Sequence, residues 1–425
     1  MLQLHFIRDN KDYVIERLSI KNFDAAELVE EIIRLDNDRR STQKNLDDNL
    51  AMSNQLSKEI GSLFKEGKRE QAEEVRKKST QLKSVVKDLE QALQQIEKSL
   101  NEKLIELPNL PHSSVKAGKS DTDNETVYEE GEIPVLEENA LPHWELASKY
   151  DIIDFDLGSK VTGAGFPFYK GKGARLQRAL INFFLDEALK QGYIEYQPPL
   201  LINEESGFGT GQLPDKEGQM YFVGEDNLYL IPTAEVPITN IYRNVILKED
   251  DLPIKNVAYS NCFRREAGSY GKDVRGLNRL HQFDKVEIVQ ISTPEKSYEV
   301  LEEMKAHVAE LLRKLELPFR ILRLCGGDVS FASALTYDFE VYSAAQKRWL
   351  EVSSVSNFEN FQSNRMKLRY KSKEGKSILA HTLNGSALAL PRIVAAMLEN
   401  NQTPEGIMIP ELLKNYTGFN KIDAS

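Results

Sequence analysis

Phe263-Arg264-Arg265-Glu266, followed after a glycine-rich loop by Arg279-Leu280-His281-Gln282-Phe283, is the stretch of sequence that decides the fold. Two strands joined by such a loop would place an arginine, a glutamate and an aromatic ring on one surface. An arginine can clamp a phosphate, a carboxylate can accept from an exocyclic amine, and a phenylalanine ring can stack on a purine. The stretch is compatible with a nucleotide site, but taken alone it is better explained as a surface hairpin with ion pairs.

The sequence contains no GxxxxGK[ST] phosphate loop and no GxGxxG motif that opens a helix after a strand. Any nucleotide would therefore be held by side chains. Arginine suits that task because its planar guanidinium meets phosphate oxygens in pairs and stays charged. The loop between the two predicted strands, residues 267–277, adds three glycines together with Lys272 and Arg275.

Around this hairpin, β-rich segments outnumber helical ones. Strands are predicted at residues 228–231, 257–260, 285–290, 319–324 and 338–342, and helices at residues 176–190 and 297–315. The strands follow one another through short turns. This pattern predicts an α+β fold with a mixed, mainly antiparallel sheet flanked by helices.

The N-terminal region, residues 1–109, has a different pattern. Apolar residues recur at alternating steps of four and three along residues 28–63 and again along residues 75–107, without a proline. A mean spacing of about 3.5 residues is typical of a coiled-coil seam. Because residues 61–67 can reverse the chain, we predict an antiparallel helical hairpin, followed by a linker and surface segment at residues 110–140 and a second domain at residues 141–425.

Charge along this hairpin is uneven. The whole chain has a net charge of −11, yet residues 65–87 hold eight basic and four acidic side chains. Such a run fits either a solvated helix face or an arm that grips a phosphate backbone. The basic residues assigned to the second interpretation are Lys65, Lys68, Arg69, Arg76, Lys77 and Lys78.

Several classes of protein are disfavoured. The sequence contains no run of about 18 apolar residues, so we predict no membrane span, and its N-terminus does not resemble a signal peptide. Cys262 and Cys325 are far apart and outside any CxxC pair. Such sparse cysteines favour a reducing, cytoplasmic location, and no zinc site is expected.

The predicted strand hairpin at residues 263–283 is one of several segments that together resemble the class II aminoacyl-tRNA synthetases, and among them the bacterial-type seryl-tRNA synthetase family. Motif 1 of that class resembles residues 173–200, from GARLQRAL to GYIEYQPPL, and motif 2 resembles residues 264–283. Motif 3 resembles residues 381–392, HTLNGSALALPR, and residues 231–237, IPTAEVP, resemble the segment that shapes the serine pocket. The resemblance spans essentially the whole chain, including the helical arm.

The resemblance implies roles for individual residues in ATP binding. Arg264 and Arg392 correspond to the catalytic arginines at the α- and γ-phosphates, and Glu351 and Ser354 to the Mg²⁺ ligands. Hard oxygen donors of this kind are what Mg²⁺ prefers. The full ATP-binding set implied is Arg264, Arg265, Glu266, Phe283, Glu351, Val352, Ser353, Ser354 and Arg392.

The resemblance also implies a serine pocket. Its residues are Thr233, Ala234, Glu235, Arg264, Glu287, Asn384 and Ser386. A buried carboxylate such as Glu287, accepting from the serine hydroxyl, would be left unpaired by alanine. A penalty of that kind can reach about 10⁴-fold in discrimination.

The implied reaction is activation of L-serine by ATP with Mg²⁺, followed by transfer to tRNA(Ser), and to tRNA(Sec) where the host has one. A homodimer formed through motif 1 is expected. Two alternatives stay open: a related ligase that loads an amino acid onto a carrier protein, and a non-catalytic coiled-coil interaction protein. Relatives of the first kind lack the long arm, and the second would not need the nucleotide-contacting residues.

Overall fold

The computed structural model describes residues 1–266 and 275–423, and the chain divides into two compact units. The first unit consists of Met1–Ser19 and Phe23–Pro108, and the second of Ile20–Asn22 and Asn109–Ser425. Most of the predicted glycine-rich loop, including Lys272, lies outside the described residues.

The first unit is helical, with α1 (Leu4–Asp9), α2 (Lys11–Ile20), α3 (Ala26–Lys65) and α4 (Arg69–Glu106). The long helices α3 and α4 form the predicted antiparallel hairpin, and the predicted seam positions face inward. Ile32, Leu35 and Leu46 are buried on α3, and Val75 and Leu100 are buried on α4.

The reversal of the hairpin is shorter than predicted. Gly61 lies inside α3, and the chain turns only at residues 66–68. Gly67 has a φ of +77°, in the left-handed region that glycine adopts without steric cost. Gly61 therefore has no part in the turn, and the helix continues through it.

The second unit contains the remaining elements. Its helices are α5 (His143–Lys149), α6 (Phe155–Val161), α7 (Gly171–Lys190), α8 (Glu204–Thr210), α9 (Glu235–Asn240), α10 (Ser297–Lys314), α11 (Phe361–Met366), α12 (Leu390–Asn400) and α13 (Lys414–Thr417). Its first strands are β1 (Glu125–Glu130), β2 (Ile153–Asp154), β3 (Phe168–Tyr169), β4 (Ile194–Tyr196), β5 (Leu201–Ile202), β6 (Phe222–Val223), β7 (Leu228–Leu230), β8 (Ile246–Lys248), β9 (Ile254–Phe263) and β10 (Gln282–Ser292). The later strands are β11 (Phe319–Arg323), β12 (Leu335–Ser343), β13 (Arg348–Asn357), β14 (Arg369–Lys371), β15 (Ser377–Leu379), β16 (His381–Ala389), β17 (Gln402–Thr403), β18 (Gly406–Met408) and β19 (Lys421–Ile422).

Within the described residues, the main sheet has eight strands in the order β1-β11-β12-β13-β16-β10-β9-β4. All neighbours are antiparallel except β4, which pairs with β9 in parallel. The predicted α+β class, with a mainly antiparallel sheet and flanking helices, is confirmed. Two central strands, β13 and β16, were not among the predicted ones.

The two faces of this sheet differ because side chains alternate along each strand. On β10, Val286 and Ile288 point into the main apolar core, which also contains residues of α7, α10 and α12. Phe283, Lys285 and Glu287 lie at the intervening positions of the same strand. One face is therefore covered by α7, α10 and α12. The opposite face carries polar groups, together with Val289 and Ala258, which pack against Ile238 of α9. No helix in the described ranges is long and apolar enough to cross a membrane.

Candidate active site

The strand register gathers the polar residues on the face opposite the core. Across β9 and β10, Phe283 pairs with Cys262, and across β10 and β16, Glu287 pairs with Ser386. Because paired residues on neighbouring strands point to the same face, Phe283, Glu287 and Ser386 lie on one surface. Asn384, two positions before Ser386, shares that face.

Arg264 follows the last residue of β9 and is held at the edge of this surface. Its backbone N–H donates to the His281 carbonyl over 2.9 Å, and its guanidinium carbon lies 5.2 Å from the centre of the Phe283 ring. The Glu266 carboxylate forms an ion pair with Arg279 at 3.1 Å. The structure thus brings Arg264 and Phe283 together, with Glu266 following in the chain.

The Arg265 side chain contacts a different part of the chain, at Tyr221. Its backbone N–H donates to the Gln219 carbonyl over 2.8 Å, and its guanidinium lies 5.7 Å from the centre of the Tyr221 ring. Its side chain is therefore stacked against the segment before β6.

Arg392 lies in the first turn of α12, directly after Pro391. Its Nε donates to the Asn278 carbonyl over 2.8 Å, and its Nη1 donates to the Glu351 carbonyl over 2.7 Å. The carboxylate of Glu351 lies 3.7 Å from Nη1. Two backbone carbonyls therefore fix the guanidinium plane beside Glu351, at the start of β13.

Two more of the four predicted residues of β13, Val352 and Ser353, make contacts within the sheet and its core. Val352 is 1% exposed and its side chain packs in the core. Ser353 donates its hydroxyl to the Ser386 carbonyl over 2.6 Å and so ties β13 to β16. Any contact of Val352 with a nucleotide would therefore come from its backbone.

The predicted metal ligands have a third oxygen donor nearby. Ser354 pairs with Asp338 across β12 and β13, and among the described residues the buried Oδ1 of Asp338 has no hydrogen-bond partner. Burial, followed by the charge of Glu351, raises the pKa of Asp338 well above its ordinary value. An unpaired buried carboxylate oxygen beside a hydroxyl and a second carboxylate fits a hard divalent cation.

Asp338, Ser354 and Glu351 would supply part of the coordination of a metal ion. Residues 1–266 and 275–423 contain no group of three or more His, Cys, Asp and Glu side chains placed to hold an ion. Two carboxylates and a hydroxyl leave coordination positions for phosphate oxygens and water, which is how Mg²⁺ is usually bound. The donor set therefore fits an ion that arrives with a nucleotide.

Two buried carboxylates, Glu235 and Glu287, interact with each other. Glu235 opens α9 and accepts from the Gln362 amide over 2.8 Å, and Gln362 in turn accepts from the Thr382 hydroxyl over 2.7 Å. Burial, and then the charge of Glu287, raises the pKa of Glu235 to about 7. Glu235 therefore gains a proton far more readily than an exposed glutamate does.

Glu287 is already paired, contrary to the expectation that it would depend on a ligand for its partner. The buried Lys285 ammonium lies 2.6 Å from its carboxylate, and the Ser386 hydroxyl donates to it over 3.4 Å. The uncompensated carboxylate is Glu235. Glu235 and Glu287 therefore share one buried ammonium, that of Lys285, and a ligand with a cationic group would stabilise the ionised form of Glu235.

The other predicted pocket residues support these carboxylates. The Thr233 hydroxyl accepts from the backbone N–H of Glu235 over 3.2 Å. Ala234 is fully buried and packs with Ala258 and Val289. Their contacts therefore fix the first turn of α9 and with it Glu235.

Comparison with known proteins identifies the family of the chain. Residues 1–111 match the family described as "Seryl-tRNA synthetase N-terminal domain", and residues 221–401 match "tRNA synthetase class II core domain (G, H, P, S and T)". The serine–tRNA ligase of Salinibacter ruber is 51% identical over 100% of both chains.

Solved structures agree as well. Seryl-tRNA synthetase from Pyrococcus horikoshii, complexed with ATP, has a TM-score of 0.93 and 33% identity over 100% of both chains. Cytoplasmic serine–tRNA ligase from Naegleria fowleri, in complex with AMP, has a TM-score of 0.87 and 28% identity, covering 100% of this chain and 99% of that one.

The chain belongs to the seryl-tRNA synthetase family. Membership confirms the predicted class of enzyme, a ligase with a class II core.

Sequence reasoning missed several residues of this seryl-tRNA synthetase site. Lys285 stands two positions before Glu287 on a strand, so alternation alone could have placed both on one face. Asp338 was inside a predicted strand, but its neighbour Ser354 came from a strand that was not predicted. Gln362 and Asn278 act through contacts with distant segments, and no local pattern indicates such contacts.

The raised pKa of Glu235 predicts an unusual pH dependence of stability. The pKa of Glu235 in the folded state, about 7, exceeds the ordinary 4.5. Protonated Glu235 therefore contributes fully to the free energy of unfolding below pH 4.5, and this contribution is lost as the pH rises towards 7. In Glu235→Gln the side chain does not titrate, so this contribution is not lost. We expect the free energy of unfolding of the variant, relative to wild type, to rise by about 3 kcal/mol between pH 4.5 and pH 8.

Urea unfolding followed by tryptophan fluorescence measures this difference, because both tryptophans lie in the second unit. The matched control is Glu225→Gln, at an exposed glutamate. Parallel pH profiles for wild type and both variants would contradict the assignment.

Proposed function

We propose that this chain activates L-serine with ATP, giving seryl-adenylate and pyrophosphate, and then transfers the seryl group to the 3′ end of tRNA(Ser). One observation carries the proposal. Arg264 beside Phe283, Arg392 beside Glu351, and the carboxylates Glu235 and Glu287 are carried by strands of a single sheet or by the helices α9 and α12 that contact its strand β10.

ATP would lie across the ends of these strands. Phe283 offers its ring to adenine and Glu266 its carboxylate to the exocyclic amine, while Arg264 meets the α-phosphate and Arg392 the γ-phosphate. The two carbonyls that hold Arg392 support this role, because a guanidinium fixed in advance loses little entropy on binding phosphate.

The chemistry needs charge stabilisation and no general base. The serine carboxylate is ionised at neutral pH and attacks the α-phosphorus in line with the departing pyrophosphate. Arg264 stabilises the negative charge at the reacting phosphate, and Arg392 holds the leaving group. Glu351 and Ser354, with Asp338 next to Ser354, would hold Mg²⁺, which when bound neutralises charge on the phosphate oxygens.

Serine would enter the pocket with its ammonium towards Glu235 and its hydroxyl towards Glu287 and Ser386. The ammonium supplies the missing positive charge, and ionised Glu235 is favoured once it has arrived. Alanine offers the same ammonium but no partner for the hydroxyl subsite. Rejection of alanine is therefore smaller than an entirely unpaired Glu287 would give, because Lys285 already compensates that carboxylate.

The helical arm would bind the tRNA backbone. Its predicted contact residues are all exposed: Lys65, Lys68, Arg69, Arg76, Lys77 and Lys78. Arg76 and Lys78 pair with Glu73 and Glu74 in their own helix at 3.1 and 3.4 Å. Exposed pairs of this kind are weak, so a phosphate can replace them at little cost. Where the host has tRNA(Sec), the same arm would accept it.

The enzyme would act as a cytoplasmic homodimer. Exposed apolar side chains cluster in and after the motif 1 segment, with Leu189 at 43%, Ile194 at 59% and Leu201 at 41% exposure. Ile194 lies on β4, an edge strand of the main sheet. An apolar patch at an open sheet edge supports pairing with a second copy. Both cysteines are free, which agrees with a reducing compartment.

Arg264→Ala tests the reaction. Removing the guanidinium at the α-phosphate leaves the transition-state charge without its main partner. We expect serine-dependent exchange of pyrophosphate into ATP to fall by at least about 10³-fold. Arg313→Ala, at an exposed ion pair with Glu130, is the matched control and should retain exchange. Normal exchange in Arg264→Ala would refute the proposed role of this arginine.

Reversing charge on the arm tests tRNA binding. In Lys77→Glu, Lys78→Glu we expect kcat/KM for tRNA in charging to fall about tenfold or more at low salt, with a shallower salt dependence, because phosphate contacts are lost. Exchange without tRNA should be unchanged. Lys371→Glu, Lys376→Glu makes the same charge change at exposed sites of the second unit. Equal loss of charging in both double variants would argue against a specific role for the arm.

A further inference from the structure

A buried polar network lies beneath the end of motif 2, outside the residues assigned to substrates. Its centre is the pair His143 and Glu399, both fully buried. Glu399 Oε1 accepts from the backbone N–H of His143 over 2.9 Å and from its Nδ1 over 2.8 Å. Ser343 donates its hydroxyl to Glu399 Oε2. No step of the proposed reaction uses these groups.

The contacts fix the tautomer of His143. A carboxylate only accepts, so Nδ1 carries the proton that is donated to Glu399. On the other side of the ring, Nε2 accepts from the backbone N–H of Leu277 over 2.9 Å. His143 is therefore a neutral imidazole that joins Glu399 to the backbone of the segment leading into β10.

A second branch reaches the next residue of that segment. Gln346 donates to Glu399 Oε1 over 3.0 Å and accepts from the side-chain amide of Asn278 over 2.9 Å. Leu277 and Asn278 are thus both tied to Glu399, one through His143 and the other through Gln346. Gly276, with φ +66°, passes so close to His143 that a Cβ there would lie 2.3 Å from Nε2.

The network ends at a predicted catalytic arginine. The Asn278 carbonyl accepts from Arg392 Nε over 2.8 Å. Arg392 and Glu399 are seven residues apart on α12, two turns of one helix face. This helix therefore holds the segment 277–278 at two points, through Glu399 with its partners and directly through Arg392.

The charge state of Glu399 is consistent with this hydrogen-bond network. Burial by itself would raise the pKa of this carboxyl, but hydrogen bonds from His143 and Ser343 outweigh it and hold the pKa below the ordinary value. A persistent carboxylate keeps the Nδ1 proton of His143 in place, which keeps Nε2 available as an acceptor.

We propose that His143 and Glu399 are positioning residues for ATP: through Leu277 and Asn278 they set the orientation of the Arg392 guanidinium that meets the γ-phosphate. This inference rests on the proposed function for the identity of the ligand. It predicts an effect on ATP that serine does not share, because the network contacts Arg392 and the end of motif 2, while serine binds at Glu235 and Glu287.

A pair of substitutions at His143 separates this role from simple packing. His143→Gln can place an amide oxygen near the position of Nε2 and still accept from Leu277. His143→Asn can keep the donor towards Glu399 but has no acceptor at that distance. We expect His143→Asn to raise the KM for ATP in the exchange reaction between about tenfold and a hundredfold, with the KM for serine within about twofold of wild type. His143→Gln should stay within about threefold of wild type for ATP.

Two further measurements make the outcome decisive. Calorimetric titration with MgATP alone compares the affinity of wild type and the His143 variants for ATP without serine. A wild type that is inactive in exchange would overturn the proposed function, and the MgATP affinities would still test this inference. Gln346→Leu cuts the second branch at a half-buried site and should also raise the KM for ATP severalfold. This variant replaces His143→Asn in the test if His143→Asn does not fold. Equal effects of Asn and Gln at position 143, or parallel changes in the KM values for ATP and serine, would overturn the inference.

Discussion

The register of β10 against β9 and β16 is the constraint on which the rest of the site depends. Phe283 and Glu287 share a face only because side chains alternate along the strand, and Ser386 joins them only because it pairs with Glu287. A slip of one residue would turn Glu287 into the apolar core and expose Val286. The helices that cover the core face therefore also fix the polar face, because burial of Val286 and Ile288 allows a single register.

Positively and negatively charged side chains occupy different parts of this site. Arg264 and Arg392 follow the ends of β9 and β16, and in the proposed reaction they bind phosphates. The buried carboxylates of Glu235 on α9 and Glu287 on β10 share a single lysine, Lys285. This separation suits a reaction between a zwitterion and a polyanion, because each substrate meets the charge that its own group lacks. Burial of Glu235 beside Glu287 costs stability, and in the proposed reaction the ammonium of serine would offset that cost. Such opposition between stability and function is common at active sites.

Parts of this picture follow from the sequence, and others could not. The seam of the helical arm was predictable because its spacing is regular over two long helices. The strand at residues 285–290 was predictable because apolar and polar residues alternate there. By contrast, β13 contains three serines and an asparagine, and β16 contains an asparagine, a glycine, a serine and two alanines, which are residue types with weak strand preference. These segments form strands because their neighbours supply matching hydrogen bonds. The pairing of Glu287 with Lys285, and the links from Glu399 to Arg392, depend on distances that no local pattern encodes.

Pyrophosphate exchange into ATP with a panel of amino acids measures directly whether this polar face activates serine with ATP. We expect rapid exchange with L-serine and much slower exchange with alanine, glycine, threonine and cysteine. Preference for another amino acid, or exchange that is independent of the amino acid added, would contradict this expectation.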